Sequence, residues 1–295
     1  MKVLILGRAG QVAFELARAA WPAGTAVTIA GRPEFDMARP ETLEPVLAAA
    51  AAEVVINATA YTGVDKAESE PGLAFAVNRD GPARLAELCR ERGAALLHIS
   101  TDYVFDGTKP APYLETDPVA PVSVYGASKA AGEAAIRAVA PRHVILRTSW
   151  VYGAHGQNFL KTMLRLGAER EELGVVADQH GAPTAAADIA AALVRIAEQV
   201  AGRAEAPWGT FHYTGAGATT WHGFADHIFE AMLRVTGRRP RLKPITTADY
   251  PLPARRPANS RLDGSQIGHR FGIICTPWQE AVDRVLNELL PSTRT

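Results

Sequence analysis

The chain opens with Lys2-Val-Leu-Ile-Leu-Gly-Arg-Ala-Gly-Gln-Val-Ala13, and this stretch decides the fold. Val3 to Leu6 is a short apolar run stopped by glycine, which predicts a fully buried strand. Gln11 to Ala20 follows with helical character, so Gly7 and Gly10 fall in a strand-to-helix turn. Glycine lets such a turn close tightly, and the helix start offers free N–H groups and a positive dipole end to a phosphate. The spacing is Gly-x-x-Gly-x-x-Ala rather than Gly-x-Gly-x-x-Gly. It points to a reductase-type variant of a dinucleotide turn, with an ordinary strand-to-helix turn as the plainer alternative.

Working outward, Ala26 to Ala30 reads as the second strand, whose exit in such a fold meets the adenosine ribose. Ala30-Gly31-Arg32 stands there, with no carboxylate to grip a ribose 2′-OH. Arg32 suits a 2′-phosphate, so NADPH is the expected cofactor and NADH the alternative; a solvated arginine is the plainer reading. Asp36 and Met37 follow in a loop suited to covering the adenine. A helix from about Glu41 to Ala52 leads to a third buried strand, Glu53 to Ala58, whose exit Ala-Thr-Ala-Tyr-Thr is small and polar where the cofactor's middle would lie. Another helix has Pro82 near its start and Gly93 just past its end. It feeds a strand ending at Ser100-Thr101-Asp102. His143 to Thr148 is a further strand, followed by Ser149-Trp150. This alternation predicts an α/β, doubly wound, Rossmann-type parallel sheet with ligands beyond the carboxyl ends of the strands, where Thr101 and Trp150 both fall.

Beyond Trp150 the pattern loosens. Helices are expected at Asn158 to Arg170, Asp188 to Val200, Trp221 to Leu233 and Trp278 to Leu290, with strands at Gly174 to Ala177 and Gly209 to Tyr213. The expected organisation is a dinucleotide-binding domain over 1–150, with segments at about 185–232 returning to its sheet, and a smaller, mainly substrate-binding domain over 151–295.

The chemistry centres on Tyr125 and Lys129 in Tyr-Gly-Ala-Ser-Lys. In a helix running from about Tyr125 to Ala140, a spacing of four puts phenol and ammonium on one face. A free tyrosine titrates near a pH of roughly 10, so it needs a neighbouring cation to work near neutrality. Lys129 is the candidate cation. Thr101, ending the run Ala-Ala-Leu-Leu-His-Ile-Ser, is placed to hold a substrate oxygen against the phenol. Tyr-x-x-x-Lys alone arises often by chance; the glycine turn at the start of the chain gives it weight.

Composition narrows the field further. Lys plus Arg and Asp plus Glu are balanced at 31 each, so no global field favours nucleic acid or an anionic membrane. Cys89 and Cys275 read as reduced, structural residues. The first apolar run is too short for a signal peptide, and no segment reaches the roughly 20 apolar residues of a spanning helix, so a soluble cytoplasmic protein is expected. The eight histidines lack metal-ligand spacing, no Gly-x-Ser-x-Gly elbow occurs, and His98 reads as a satisfied core histidine.

Six segments carry a more specific signal: Ser-Thr-Asp-Tyr-Val-Phe (100–105), Val-Tyr-Gly-x-x-Lys (124–129), Arg-Thr-Ser-Trp-Val-Tyr (147–152), Asn-Phe-x-Lys-Thr-Met-Leu (158–164), Asp-Gln-x-Gly-Ala-Pro-Thr (178–184) and Ala-Arg-Arg-Pro-x-Asn-Ser-Arg-Leu (254–262). Together they resemble the dTDP-4-dehydrorhamnose reductase family, within the extended short-chain dehydrogenases, over nearly the whole chain. The resemblance implies reduction of the C4 ketone of dTDP-4-dehydro-L-rhamnose by a nicotinamide cofactor, for dTDP-rhamnose and surface polysaccharide synthesis. It implies that Tyr125 protonates the forming alkoxide, that Lys129 lowers the phenol's pKa and binds the nicotinamide ribose, and that Thr101 orients the sugar. Gly10, Gln11 and Val12 would hold the pyrophosphate, with Asp36, Met37, Ala60, Tyr61, Thr62 and Ile99 along the cofactor. Thr101, Asp102, Trp150 and Asn158 would serve the substrate, and Arg255 and Arg256 its diphosphate. Some members bind magnesium between subunits through carboxylates; Glu15 and Glu288 match, but Ala187 stands where a further glutamate is expected, so no metal ligand is assigned. The expected partners are a dTDP-sugar and a second copy of the chain, without nucleic acid or membrane. Two rivals share the fold: a nucleotide-sugar dehydratase or epimerase, and a non-catalytic regulatory homologue like the methionine adenosyltransferase beta subunit. Thr101-Asp102-Tyr103 differs from the Thr-Asp-Glu that dehydratases resemble, and the intact Thr101, Tyr125 and Lys129 weigh against the regulatory reading.

Overall fold

The computed structural model describes residues 1–290. The first half alternates strand and helix: β1 (Lys2–Leu6), α1 (Gln11–Arg18), β2 (Ala26–Ala30), α2 (Leu43–Ala50), β3 (Val54–Asn57), α3 (Val64–Ser69), α4 (Pro71–Phe75), α5 (Gly81–Arg92), β4 (Ala95–Thr101), α6 (Val124–Val139) and β5 (His143–Thr148). The second half adds β6 (Val151–Tyr152), α7 (Phe159–Glu169), β7 (Glu172–Val176), β8 (His180–Gly181), β9 (Thr184–Ala185), α8 (Ala186–Val200), β10 (Gly209–His212), β11 (Thr219–Thr220), α9 (Trp221–Thr236), β12 (Arg241–Ile245), α10 (Ser265–Phe271) and α11 (Trp278–Leu289). Six strands form one parallel sheet in the order β10-β5-β4-β3-β1-β2. The chain belongs to the doubly wound α/β class.

The strands read as unbroken apolar runs because both sheet faces are covered. Val3, Ile5, Val54, Ile56, Leu97 and Leu146 pack with α1 and α8 on one face. Leu4, Leu6, Val55, Leu96 and Ile145 alternate onto the other, against Leu85, Leu88 and Ile136 of α5 and α6. A separate apolar cluster joins Leu160 and Met163 of α7, Phe224 and Phe229 of α9, and Val282 and Leu286 of α11. Beside it β7 and β12 pair in parallel. Thus α8 and β10 pack with the sheet, while α7, α9, α11 and the β7–β12 pair form a second body at its carboxyl edge.

Two local expectations change. The helix read from Glu41 to Ala52 is split into a 3₁₀ turn, Pro40–Thr42, and α2. Each proline, Pro40 and Pro45, sits in an opening turn, where its missing N–H breaks no hydrogen bond. The strand β12 was not read at all, because Arg241-Leu-Lys-Pro-Ile carries no run of apolar residues; β7 supplies its ladder. Among the described residues no helix is long and apolar enough to cross a membrane.

Candidate active site

The carboxyl edge of β1 and the start of α1 form the glycine turn. Gly7 has φ +126°, a conformation L side chains rarely adopt, and a Cβ there would lie 3.2 Å from the Ala58 carbonyl oxygen. Gly10 caps α1 without any side-chain hydrogen bond, so the first N–H groups, from Gln11 and Val12 onward, stay open to an anion. This loop fits a dinucleotide's phosphates. Gln11 is held from the side by the Asn158 amide, which donates to its Oε1 at 2.9 Å. Asn158 also donates to the Gly153 carbonyl and caps α7 by accepting from the Lys161 N–H. That differs from the expected substrate contact: Asn158 braces the glycine turn, and it is not among the residues lining the large cavity described below.

At the exit of β2, Arg32 is exposed, and Arg8 lies beside it with Nη2 on Glu34 at 2.8 Å. Gly31 is needed between them, since a Cβ there would fall 2.9 Å from the Arg8 Cβ. Arg8 went unread in the sequence; an arginine inside a glycine turn, opposite Arg32, was the available signal. Asp36 accepts from the Ala38 N–H at 3.0 Å, and Met37 is buried against Gly81. The loop with exposed Ala60 and Thr62 is pinned through Tyr61. Buried Asn78 accepts from the Tyr61 N–H at 2.9 Å and donates to the Tyr61 carbonyl at 3.0 Å, and its amide also reaches Ser128 Oγ at 3.0 Å. Asn78 therefore clamps the loop after β3 to the helix bearing Tyr125 and Lys129. No local pattern around position 78 marks this role.

Tyr125 and Lys129 stand in the first two turns of α6, whose start is capped by Ser123. Thr101 ends β4 and caps a 3₁₀ turn by accepting from the Tyr103 N–H, while donating to Asp102 Oδ1 at 2.9 Å. Burial pushes the Tyr125 phenol up to about 12; proximity to Thr101 lowers it in part, and the charge of Asp102 adds to the rise. Lys129 does not relieve this. Its Nζ donates to the Ile99 carbonyl at 2.8 Å and contacts His98 Nε2 at 3.1 Å. Burial brings the Lys129 ammonium down to about 8, opposed by the charge of Glu133. The expected phenol–ammonium contact is thus replaced by contacts to β4, because a buried amino group takes the nearest polar partners. Burial also raises the Asp102 carboxyl to about 6, against hydrogen bonds from Ser260 and Thr101.

A cavity of about 990 Å³ adjoins this edge, lined by Tyr103, Phe159, Gln179, Trp221, Arg255 and Arg256 among others. Tyr103 meets Tyr125 edge-on with ring centres 5.6 Å apart, so the cavity runs toward the phenol. Trp150 has φ +47° and stacks on Trp221 at 3.7 Å. Gly181 leaves room for it: a Cβ there would come within 2.4 Å of the Trp150 ring. Arg255 is exposed on the cavity wall. Arg256 is instead committed to Asp65, with hydrogen bonds of 2.6 and 2.7 Å. Trp221, Gln179 and Tyr103 were not read as site residues; aromatic or amide character alone does not separate them from core.

The carboxylates matched to a family magnesium site lie elsewhere. Glu15 and Glu288 both face Arg18, at 4.0 and 3.7 Å, beside Ala187 and Glu198 in a smaller cavity. The guanidinium between them and the methyl of Ala187 do not make a cation site within one chain.

Comparison with known proteins adds to this geometry. The family described as RmlD substrate binding domain matches residues 1–290. A dTDP-4-dehydrorhamnose reductase from Sinorhizobium fredii is 47% identical over 291 residues, covering 98% of each chain. The crystal structure of a dTDP-4-dehydrorhamnose reductase from Clostridium acetobutylicum is 36% identical with a TM-score of 0.91, covering 98% of this chain and 99% of that one. The enzyme of the same name from Bacillus anthracis, solved in complex with NADP, is 34% identical with a TM-score of 0.90, covering 97% and 98%.

Proposed function

The chain belongs to the dTDP-4-dehydrorhamnose reductase family, and from that membership we propose how its residues carry out the reaction. It is a nicotinamide-dependent oxidoreductase that reduces the C4 ketone of dTDP-4-dehydro-L-rhamnose to dTDP-L-rhamnose, in dTDP-rhamnose biosynthesis. The cofactor, when bound, supplies the hydride. Tyr125 supplies the proton: a phenol held near 12 stays protonated at neutral pH, yet is far more acidic than the alcohol formed from the ketone. Thr101, at the end of β4 beside the phenol, orients the ketone oxygen. Lys129 in its ammonium form favours the phenolate left behind and offers a donor to the nicotinamide ribose.

Gly7, Gly10, Gln11 and Val12 bind the pyrophosphate, and Asp36, Met37, Ala60, Tyr61, Thr62 and Ile99 line the rest of the cofactor. NADPH is preferred, supported by exposed Arg32 at the exit of β2, where the nearby Glu34 carboxylate is engaged by Arg8 from the β1 turn. Asp102 and Trp150 contact the sugar, and Arg255 is the better placed of the two arginines for the diphosphate. Residues 1–150 with α8, β10 and α10 form the cofactor domain, and α7, α9, α11 and the β7–β12 pair close over the substrate; α9 departs from the expected return of about 185–232 to the sheet, because its apolar face packs on α7 and α11. We further infer a cytoplasmic homodimer. The observation that carries the reading is that Tyr125, one helical turn before Lys129, meets edge-on the Tyr103 ring that lines a cavity large enough for a sugar nucleotide. Purified protein given NADPH and dTDP-4-dehydro-L-rhamnose should consume the cofactor only when the sugar is present. No consumption with either nicotinamide cofactor would favour the regulatory homologue.

A further inference from the structure

Behind Lys129 lies a buried chain of side chains with a fixed direction. Asn57 ends β3 and is fully buried. Its Oδ1 accepts from the Thr59 N–H at 3.1 Å and from the Thr59 hydroxyl at 2.6 Å. A backbone N–H can only donate, so the orientation of the amide is settled and Nδ2 must be the atom facing His98 Nδ1, at 3.0 Å. An amide nitrogen also only donates. His98 Nδ1 is therefore the acceptor, and a neutral imidazole carries its single hydrogen on Nε2. Nε2 lies 3.1 Å from Lys129 Nζ, and both residues are buried. An N–H pointing at Nζ needs a lone pair there.

We propose that Asn57 and His98 are positioning residues that hold Lys129 Nζ as a hydrogen-bond acceptor, an amine, in the ligand-free protein. Nζ still donates to the Ile99 carbonyl, which keeps it on β4. Converting it to an ammonium requires the imidazole hydrogen to move to Nδ1, against the Asn57 donor. The pair therefore carries the Lys129 ammonium below the value of about 8 that burial and Glu133 set, and so sets how readily Lys129 becomes the cation that the phenolate needs.

The surrounding charges leave this order intact. Glu133, one turn along α6, is bound by Arg147 of β5 and by Arg137. Burial keeps His98 well below its ordinary range and so neutral, and Lys129, whenever it is protonated, and His143 push the same way. Asp102 acts on Tyr125, which Tyr103 meets edge-on toward the cavity. On the turn between α4 and α5, Arg79 and Asp80 pair with each other at the surface.

The inference deepens the reductase reading in its kinetic arm alone, and its spectroscopic arm needs no substrate. Long-range ¹⁵N–¹H spectra of the full-length protein near neutral pH, with the His98 signal assigned by loss in His98→Gln, should show the hydrogen on Nε2. Asn57→Asp, whose carboxylate accepts from Nδ1–H, should move it to Nδ1. In the kinetic arm, the alkaline limb of kcat should rise by about one pH unit in Asn57→Asp and also in uncharged Asn57→Leu, which frees the tautomer. Wild-type protein with the hydrogen on Nδ1 would overturn the proposal whether or not the chain proves to be a reductase. A limb that moves in Asn57→Asp but not in a folded Asn57→Leu would assign the effect to charge alone and overturn it too.

Discussion

Arg147 and Glu133 form a buried, two-pronged ion pair, with Nε to Oε1 at 2.9 Å and Nη2 to Oε2 at 2.6 Å. Ser100 adds a hydrogen bond to Oε1 at 2.6 Å, so the pair ties β4 and β5 to α6 one turn beyond Lys129. Removing one partner leaves an uncompensated buried charge, so Arg147→Met should cost about 3–5 kcal/mol, while Arg147→Met with Glu133→Leu should recover much of it. Chemical denaturation of both variants checks this. Burial alone would raise the Glu133 carboxyl, but the Arg147 hydrogen bond and charge outweigh it and hold it below its ordinary value. Its contribution is thus present above the unfolded carboxylate's pKa and lost as pH falls through the lower folded value. The wild type should lose more stability in that acid window than the double variant.

Tyr125→Phe removes the proton donor and one hydroxyl, leaving the glycine turn untouched. Turnover should fall by about 10² or more with cofactor affinity nearly unchanged. Steady-state kinetics and cofactor titration together check it, and near-normal turnover would take Tyr125 out of the mechanism.

Arg32→Ala should narrow the preference for NADPH over NADH, measured as the ratio of kcat/KM values. A lost charge-assisted hydrogen bond is worth about 1.5–3 kcal/mol, so the ratio should drop by roughly ten-fold or more. Arg8→Ala should narrow it less, because Arg8 already has Glu34 as a partner. An unchanged preference in Arg32→Ala would make Arg32 a surface residue only.

Arg255→Ala should weaken dTDP binding by about ten-fold, measured by isothermal titration, and leave cofactor affinity alone. Arg256→Ala has a second effect, since it frees the Asp65 carboxylate, which Arg256 holds below its ordinary pKa. Asp65→Asn separates the two: if Arg256 serves only Asp65, dTDP affinity stays at the wild-type value in that variant and in Arg256→Ala. Unchanged affinity in both arginine variants would place the diphosphate elsewhere.

Gly132→Ala pits helix propensity against packing. Alanine in mid-helix normally gains about 1 kcal/mol over glycine. Here a Cβ would lie 2.0 Å from the Asn78 carbonyl oxygen, in backbone that cannot step aside cheaply. The variant should therefore be destabilised by about 1–3 kcal/mol, and thermal unfolding gives the sign directly.

The sequence by itself determined the alternation of strands and helices, the glycine turn and the Tyr125–Lys129 spacing, because each is written in residues a few positions apart. Buried strands announce themselves as apolar runs, and helix ends as glycine and proline, without knowledge of what packs on them. Tertiary structure decided what those side chains touch. Lys129 lies on one face with Tyr125, yet its partners His98 and Ile99 are 31 and 30 positions away. Arg256 finds Asp65 across 191 positions, and Asn158 finds Gln11 across 147. Such pairs are set by how β4 neighbours β5, and by how the second body folds back over the sheet. A buried polar group binds whichever partner the fold brings nearest, and no local pattern in the chain encodes that neighbour.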